Sequence, residues 1–238
     1  MREITDEAYV VHRRRLRESS YVVQALTRCH GLLSMVLRGA ASSKSRRETP
    51  VEFRQLQLAW SGKTEMPTIR RAEPLGPMYS FTGERLFCGL YLNELVVRFL
   101  HRGDANEQSY QAYQGALMGL NETAPIEPVL RHFEIELLQV CGYAMALNDT
   151  ADHAMPIAPE GRYFYVPELG AVSARPEIAH LEVRGATLLA LAGRMTWTDE
   201  TSLDAKRLMR FVVHSHLGGR ELQSRSLFKY SALAGEAE

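Results

Sequence analysis

Phe53-Arg54-Gln55-Leu56-Gln57-Leu58-Ala59-Trp60 is the stretch whose reading decides the fold of the first third of the chain. Leu56, Leu58 and Trp60 alternate with Gln57 and Ala59. A period of two puts one side of a strand in a core and the other toward water. Gly62 and Pro67 punctuate the chain just beyond it. Working outward, Ala8–Val11, Tyr21–Leu26, Leu32–Leu37 and Thr68–Ala72 are also short and rich in β-branched and aromatic residues, with Gly31 and Gly39 at breaks between them. Five short strands within residues 8–75 predict a small barrel. The five-stranded OB-type barrel is the commonest such solution, and an SH3-like barrel fits the same strand count.

The pattern changes after Pro74-Leu75-Gly76-Pro77, which marks a predicted boundary between a barrel domain, 1–78, and a helical domain, 79–238. Thr82 is placed to cap a helix in which Leu86, Phe87, Leu90, Tyr91, Leu95 and Phe99 recur at helical spacing. A second helix is predicted from Glu107 to Leu120, and a third from Pro125, striped by Ile126, Leu130, Phe133, Leu137 and Val140. Residues 143–175 are rich in Pro, Gly and Asp and read as a loop insertion carrying a hairpin, Tyr163–Val166 turning at Pro167–Gly170 into Ala171-Val172. Two more helices follow. One covers 177–192; the other opens at a capping-box-like Thr201-Ser202-Leu203-Asp204 and ends at Gly218-Gly219. The predicted class is α+β: a five-stranded barrel, then a mainly helical domain with a loop and hairpin insertion.

Charge divides the chain in the same way. The formal net charge is zero, from 28 basic and 28 acidic side chains. Residues 1–80 hold 14 basic against 8 acidic, and residues 81–238 hold 14 against 20. Neutrality is therefore a cancellation between a first part at +6 and a second at −6, and the first is suited to an anionic partner. A chain that is 45% hydrophobic and 24% charged is neither disordered nor fibrous. Its three cysteines, Cys29, Cys88 and Cys141, are too scattered for a disulfide framework or a metal knuckle. The first residues, Met1–Glu7, lack the apolar core of a secretory signal, and the apolar runs are too short to span a bilayer. A cytoplasmic protein, away from membranes, is the expectation.

Motifs for catalysis fail on their own requirements. Gly62-Lys63-Thr64 resembles the end of a phosphate-binding loop, but position 57, where that loop needs a glycine, is glutamine. Ser226-Leu227-Phe228-Lys229 has the Ser-x-x-Lys spacing of penicillin-recognising enzymes without the companion elements. His214 and His216 are two apart on a helix and cannot share a metal. Asp149, Asp152 and His153, with distant His180, are the only outline of a metal-assisted hydrolase, and their ligand set is incomplete. No catalytic residue, metal or cofactor is assigned, and a non-enzyme is the expectation.

The basic residues of the barrel carry the stronger signal. Arg13-Arg14-Arg15-x-Arg17 is a dense cluster; Arg38, Lys44, Arg46 and Arg47 surround a hydroxyl-rich loop, and Arg70-Arg71 adds a pair. Such cations neutralise phosphates, and Tyr9, Tyr21, Phe53 and Trp60 are available for stacking on bases, although at least half should be core. The bland alternative is a solvated basic face, or a barrel that binds protein as an interaction scaffold. A second cluster, Lys206, Arg207, Arg210, Arg220, Arg225 and Lys229, lies near the C-terminus. There a solvated helix face competes with docking of an acidic, partly apolar peptide.

Several stretches resemble one family. They are Arg71-Ala72-Glu73-Pro74-Leu75, Tyr91-Leu92-Asn93-Glu94-Leu95, Leu130–Leu138, Gly142-Tyr143 and His216–Leu227, together with Gly31–Ala40 and its Ser42-Ser43-Lys44-Ser45 extension. In this order, across nearly the whole chain, they look like the RecO family of bacterial DNA-repair and recombination mediators. The resemblance implies an N-terminal OB-fold and a C-terminal helical domain. It implies binding of single- and double-stranded DNA, annealing of complementary strands, and action with RecR, indirectly with RecA and RecF, at the nucleoid. It places the DNA surface at Arg13, Arg14, Arg15, Arg38, Lys44, Arg46 and Arg47, beside Arg17 and Arg70 from the clusters above. It also implies a pocket for the acidic, hydrophobic tail of single-stranded DNA-binding protein, for which Arg131, Lys206, Arg207 and Arg210 are the cations and Phe133 and Phe211 the apolar candidates. Many relatives carry a four-cysteine zinc site between the helices. Residues 143–175 contain no cysteine, so this insertion is expected to hold itself by packing.

Overall fold

The computed structural model describes residues 3–16, 20–39, 49–62 and 65–227. Five strands, β1 (Ile4–Leu16), β2 (Ser20–Thr27), β3 (Gly31–Arg38), β4 (Arg54–Ser61) and β5 (Thr68–Met78), close a barrel in the order β1-β2-β3-β5-β4. Every pairing is antiparallel except β3 with β5, which meet in parallel at Val36 and Thr68. That is the closure of an OB-type barrel, and it excludes the SH3-like alternative. Leu56, Leu58 and Trp60 point inward as their alternation predicts, joining Ala8, Val10, Val23, Ala25, Met35, Leu37 and Ile69 in the barrel core. Burying each of the larger side chains contributes roughly 1.5–3 kcal/mol.

Two details of the barrel differ from the prediction. Pro74-Leu75-Gly76-Pro77 does not end the sheet but continues β5, with Pro74 opposite Leu56 and Met78 opposite Arg54. Beyond Thr68, β5 is laddered to β4 alone among the described residues, so its other edge tolerates prolines without losing a ladder bond. Phe53 precedes β4 rather than belonging to it. Its φ of 62° turns the chain, and its ring packs edge-on to Phe81 at 5.2 Å.

Helices α1 (Gly83–Phe99) and α2 (Glu107–Asn121) match the predicted spacing. Thr82 is the N-cap of α1 by backbone conformation but makes no side-chain cap bond. These helices belong to the same compact unit as the barrel, which runs to Asn121 and takes back the chain from Leu222; the predicted break at 78/79 falls inside it. The outer wall of the barrel explains why. Tyr9, Leu26 and Leu32 are in register on three neighbouring strands, and all are at most 1% exposed. Tyr9 meets Tyr110 at 5.4 Å and Tyr113 at 5.3 Å. The buried hydroxyls are partnered: Gln114 donates to Tyr9, Gln55 donates to Tyr110, and Tyr113 donates to Asn93 of α1. Burial pushes the Tyr113 phenol well above its usual range. The returning segment is fastened to α1 by Glu94, which accepts from the amides of Gln223 and Ser224 and from the Ser224 hydroxyl.

The second unit spans residues 122–221. It holds α3 (Ile126–Val140), a small antiparallel sheet of β6 (Arg162–Val166), β7 (Gly170–Val172) and β8 (Leu181–Arg184) in the order β7-β6-β8, α4 (Gly185–Leu191) and α5 (Asp199–His216). The predicted hairpin is β6–β7. The predicted helix over 177–192 begins only at Gly185, because Leu181 and Val183 alternate with charged neighbours and pair as a strand with Tyr165 and Tyr163. The α5 cap lies three residues before the predicted one: the Thr198 hydroxyl accepts from the Thr201 amide while the Thr201 hydroxyl accepts from the Thr198 amide.

At Gly31 the backbone has φ 68°, and a Cβ there would overlap the Asp104 carbonyl in the α1–α2 connection. The neighbouring Gly103 amide donates to the Leu32 carbonyl at 2.9 Å. Gly31→Ala therefore combines a left-handed backbone with overpacking, and is expected to lower stability by about 2 kcal/mol or more in urea unfolding. Unchanged stability would contradict this close approach.

Candidate nucleic-acid interface

Strand register decides what the basic cluster can do. The β1–β4 ladder stops at Tyr9–Gln55, whereas β1–β2 continues to Leu16–Ser20 and β2–β3 to Ser20–Arg38. Beyond a bulge at Val10/His12, β1 thus extends past the β4 ladder, flanked by β2 and then β3. Arg13 and Arg15 pair with Val23 and Tyr21, residues of or against the barrel core. Arg14 pairs with Val22 and lies on the opposite side. Sequence adjacency made one cluster of three; the strand makes two sets.

Arg14, Arg15, Arg38 and Arg70 are exposed. Arg13 is half-buried and lies 3.5 Å from Glu52. On the outer side, Val22 pairs with Val36, and Val36 meets Thr68. Arg38 lies two residues past Val36 on β3, paired with Ser20 on the outer face, and Arg70 lies two residues past Thr68 on β5, at the register shift between Ile69 and Arg71. Arg70 is steadied by donating from Nε to the Ser61 hydroxyl at 2.7 Å. Arg71 is engaged by Glu3 and Glu73. Arg17, Lys44, Arg46 and Arg47 lie outside the described residues.

Of the four stacking candidates, Tyr9, Phe53 and Trp60 are buried and only Tyr21 is half-exposed. It stands directly opposite Arg15, an aromatic face beside a phosphate-binding cation. Composition could not single it out. The antiparallel register of β1 on β2 is what brings the pair together. At the other end of the barrel, a cavity of about 720 Å³ is lined by Cys29, His30, Trp60, Glu65 and Arg102 among others. Behind two of these lining residues, Asp6, 7% exposed, accepts from the Cys29 amide and lies 2.8 Å from His30 Nδ1. The cavity's lining residues come from three separate segments, 29–34, 60–67 and 102–105, so no local sequence pattern marks it.

The predicted peptide site is dispersed within the second unit. Arg131 is 4% and Phe133 1% exposed, so neither is presented to solvent. Arg131 lies 2.9 Å from Glu134 and 3.5 Å from Glu127, a buried charge set inside α3. Lys206 bonds Glu127 at 2.9 Å, and Phe211 is half-buried. Arg207, 3.6 Å from Asp204, and Arg210 are exposed on α5. A pocket of about 340 Å³ beside Arg207 is lined by Arg162, Arg184, Glu182, Glu200 and Asp204, and its cations are matched by its own carboxylates.

The metal-hydrolase outline is not assembled. The Asp152 carboxyl accepts from the Ser173 amide, which holds it below the usual range. His180 turns its Nδ1 to the Ile178 carbonyl. Among the described residues no three His, Cys, Asp or Glu side chains are grouped as metal ligands. Residues 143–175 contain no cysteine. That segment is held instead by Leu147, Ile157, Tyr163 and Tyr165 in its core and by backbone bonds such as Ala151 to Ala171.

Comparison with known proteins agrees along the whole chain. Residues 1–78 match the family model described as Recombination protein O N terminal, and residues 80–226 match Recombination protein O C terminal. The DNA repair protein RecO of Methylococcus capsulatus is 37% identical over 97% of this chain and 95% of its own length. That of Aromatoleum aromaticum is 38% identical over 93% of each, and that of Dechloromonas aromatica 39% identical over 93% of each.

The buried α3 charges predict how variants of Arg131 behave. Removing one partner of a buried ion set leaves the other uncompensated, at a cost of about 3–5 kcal/mol. Arg131→Met is expected to lower thermal stability accordingly, since Glu134 is 1% exposed. A variant of unchanged melting temperature would contradict a structural role and return Arg131 to the surface.

Proposed function

The chain belongs to the recombination protein O family, and on that premise we propose that it is a non-enzymatic, DNA-binding mediator of repair and homologous recombination. The observation that carries this reading is the set of exposed arginines, Arg14, Arg15 and Arg38 on the β1–β2–β3 extension of an OB-type barrel and Arg70 on β5. Annealing two complementary strands joins two polyanions. It requires neutralised phosphates and exposed bases rather than a general acid, a nucleophile or a metal. The arginines supply charge, and Tyr21 supplies a stacking face.

The protein binds single- and double-stranded DNA in this reading, anneals complementary strands, and works with RecR, alongside RecF, in the loading of RecA. Its second unit takes the acidic tail of single-stranded DNA-binding protein, with Arg207 and Arg210, the exposed cations of α5, as first contacts. Lys206 serves from its ion pair with Glu127. Arg131, Phe133 and Phe211 support that surface from beneath it. Its place is the cytoplasm, at the nucleoid; among the described residues no helix is long and apolar enough to cross a membrane.

Binding of a labelled single strand at increasing salt tests this directly. Each neutralised phosphate contributes a slope of about −0.7 in log affinity against log salt, so four such phosphates give roughly −3. Saturable binding with no salt dependence, or none to either form of DNA, would overturn the assignment.

A further inference from the structure

Phosphate contacts on one face of a strand cannot be shared with the other, because successive side chains point to opposite sides. The basic residues along and beside β1 therefore belong to two sets. One set, Arg13 and Arg15, shares its side with Tyr21 and the mouth of the barrel. The other, Arg14 and Arg38, lies along the outer wall in the rows of Val22 and Ser20, with exposed Arg70 two residues past Thr68 on β5.

We propose that these two sets are separate phosphate tracks, one for each of two DNA strands, so that the β1–β2–β3 extension stands between the strands before they pair. This rests on the DNA-binding reading above and adds to it where each strand runs.

The two tracks differ in kind. The mouth track has an aromatic partner, Tyr21, directly opposite Arg15, and one of its cations, Arg13, is paired with Glu52 at 3.5 Å. It holds an unpaired strand by stacking as well as by charge. The outer track carries Val22, Val36, Ser20 and Thr68 between its arginines. With no aromatic in these positions it reads only the backbone and accepts a strand whether or not it is paired.

The spacing suits the task. Side chains projecting from the two faces of a sheet place their charges on the order of 10 Å apart or more, while the Debye length at physiological salt is about 8 Å. Two strands on opposite faces are therefore screened from one another. On a single face they would compete for the same cations.

The test compares two variants of the full chain, Arg13→Gln with Arg15→Gln and Arg14→Gln with Arg38→Gln and Arg70→Gln, each checked for an unchanged melting temperature. Glutamine keeps much of the side chain's reach and removes its charge. Single-strand affinity against salt and the rate of annealing of two complementary oligonucleotides are measured for each. Both variants are expected to retain single-strand binding, with the slope reduced by about 0.7 for each phosphate that is no longer neutralised. Both are expected to anneal at least tenfold more slowly. Tyr21→Ala is expected to weaken single-strand binding while leaving duplex binding within twofold. If either the double or the triple variant loses binding and annealing together while the other changes neither, there is a single track and the proposal is overturned. A wild-type protein that binds no DNA overturns the functional reading itself, a distinguishable result.

Discussion

The seating of α2 against the outer wall of the barrel is the contact on which the rest of the first unit depends. Tyr9 on β1 is nearly closed off from solvent by Tyr110 and Tyr113, and each pair adds about 0.5–1.5 kcal/mol beyond area burial. A tyrosine can be buried so completely only if its hydroxyl is bonded. Gln114, Gln55 and Asn93 meet that need, and through Asn93 the contact reaches α1. Because α2 packs on Tyr9, the exposed part of that wall lies further along the sheet, where Arg14 of β1 and Arg38 of β3 stand. One apolar interface thus positions the basic one.

Much of the barrel was legible because a half-buried strand advertises itself in alternation. Leu56, Leu58 and Trp60 point where their period places them, and the third helix follows its stripe of Leu130, Phe133 and Leu137. What escaped followed from tertiary pairing. Pro74 and Pro77 look like a stop in isolation, yet an edge without a ladder lets β5 run on to Met78. Leu181–Arg184 alternates over only four residues, too few to separate strand from helix, and is a strand because it pairs with Tyr163 and Tyr165. Helices α1 and α2 read from composition as the start of a second domain, and they share a compact unit with the barrel.

The site was legible as a set of residues and not as an arrangement. Arg13, Arg14 and Arg15 are neighbours in sequence, and only register shows that the middle one is turned away. Arg131 reads as a cation on a helix; the acidic residues three and four positions away, Glu134 and Glu127, make it an interior ion set instead. Charge supplied a sounder guide when divided than when summed. A zero net charge argues against a nucleic-acid partner, whereas a basic barrel cancelled by an acidic remainder argues for one.

The central claim is that DNA meets the protein on the β1–β2–β3 extension. Amide chemical-shift mapping of the full chain with a short single-stranded oligonucleotide tests it most directly. The largest shifts are predicted at Arg13–Leu16, Tyr21–Val22 and Val36–Arg38, with Cys29, His30 and Gly103 at the opposite end of the barrel unmoved. Shifts gathered around Cys29 and His30, with Arg13–Leu16 silent, would contradict it.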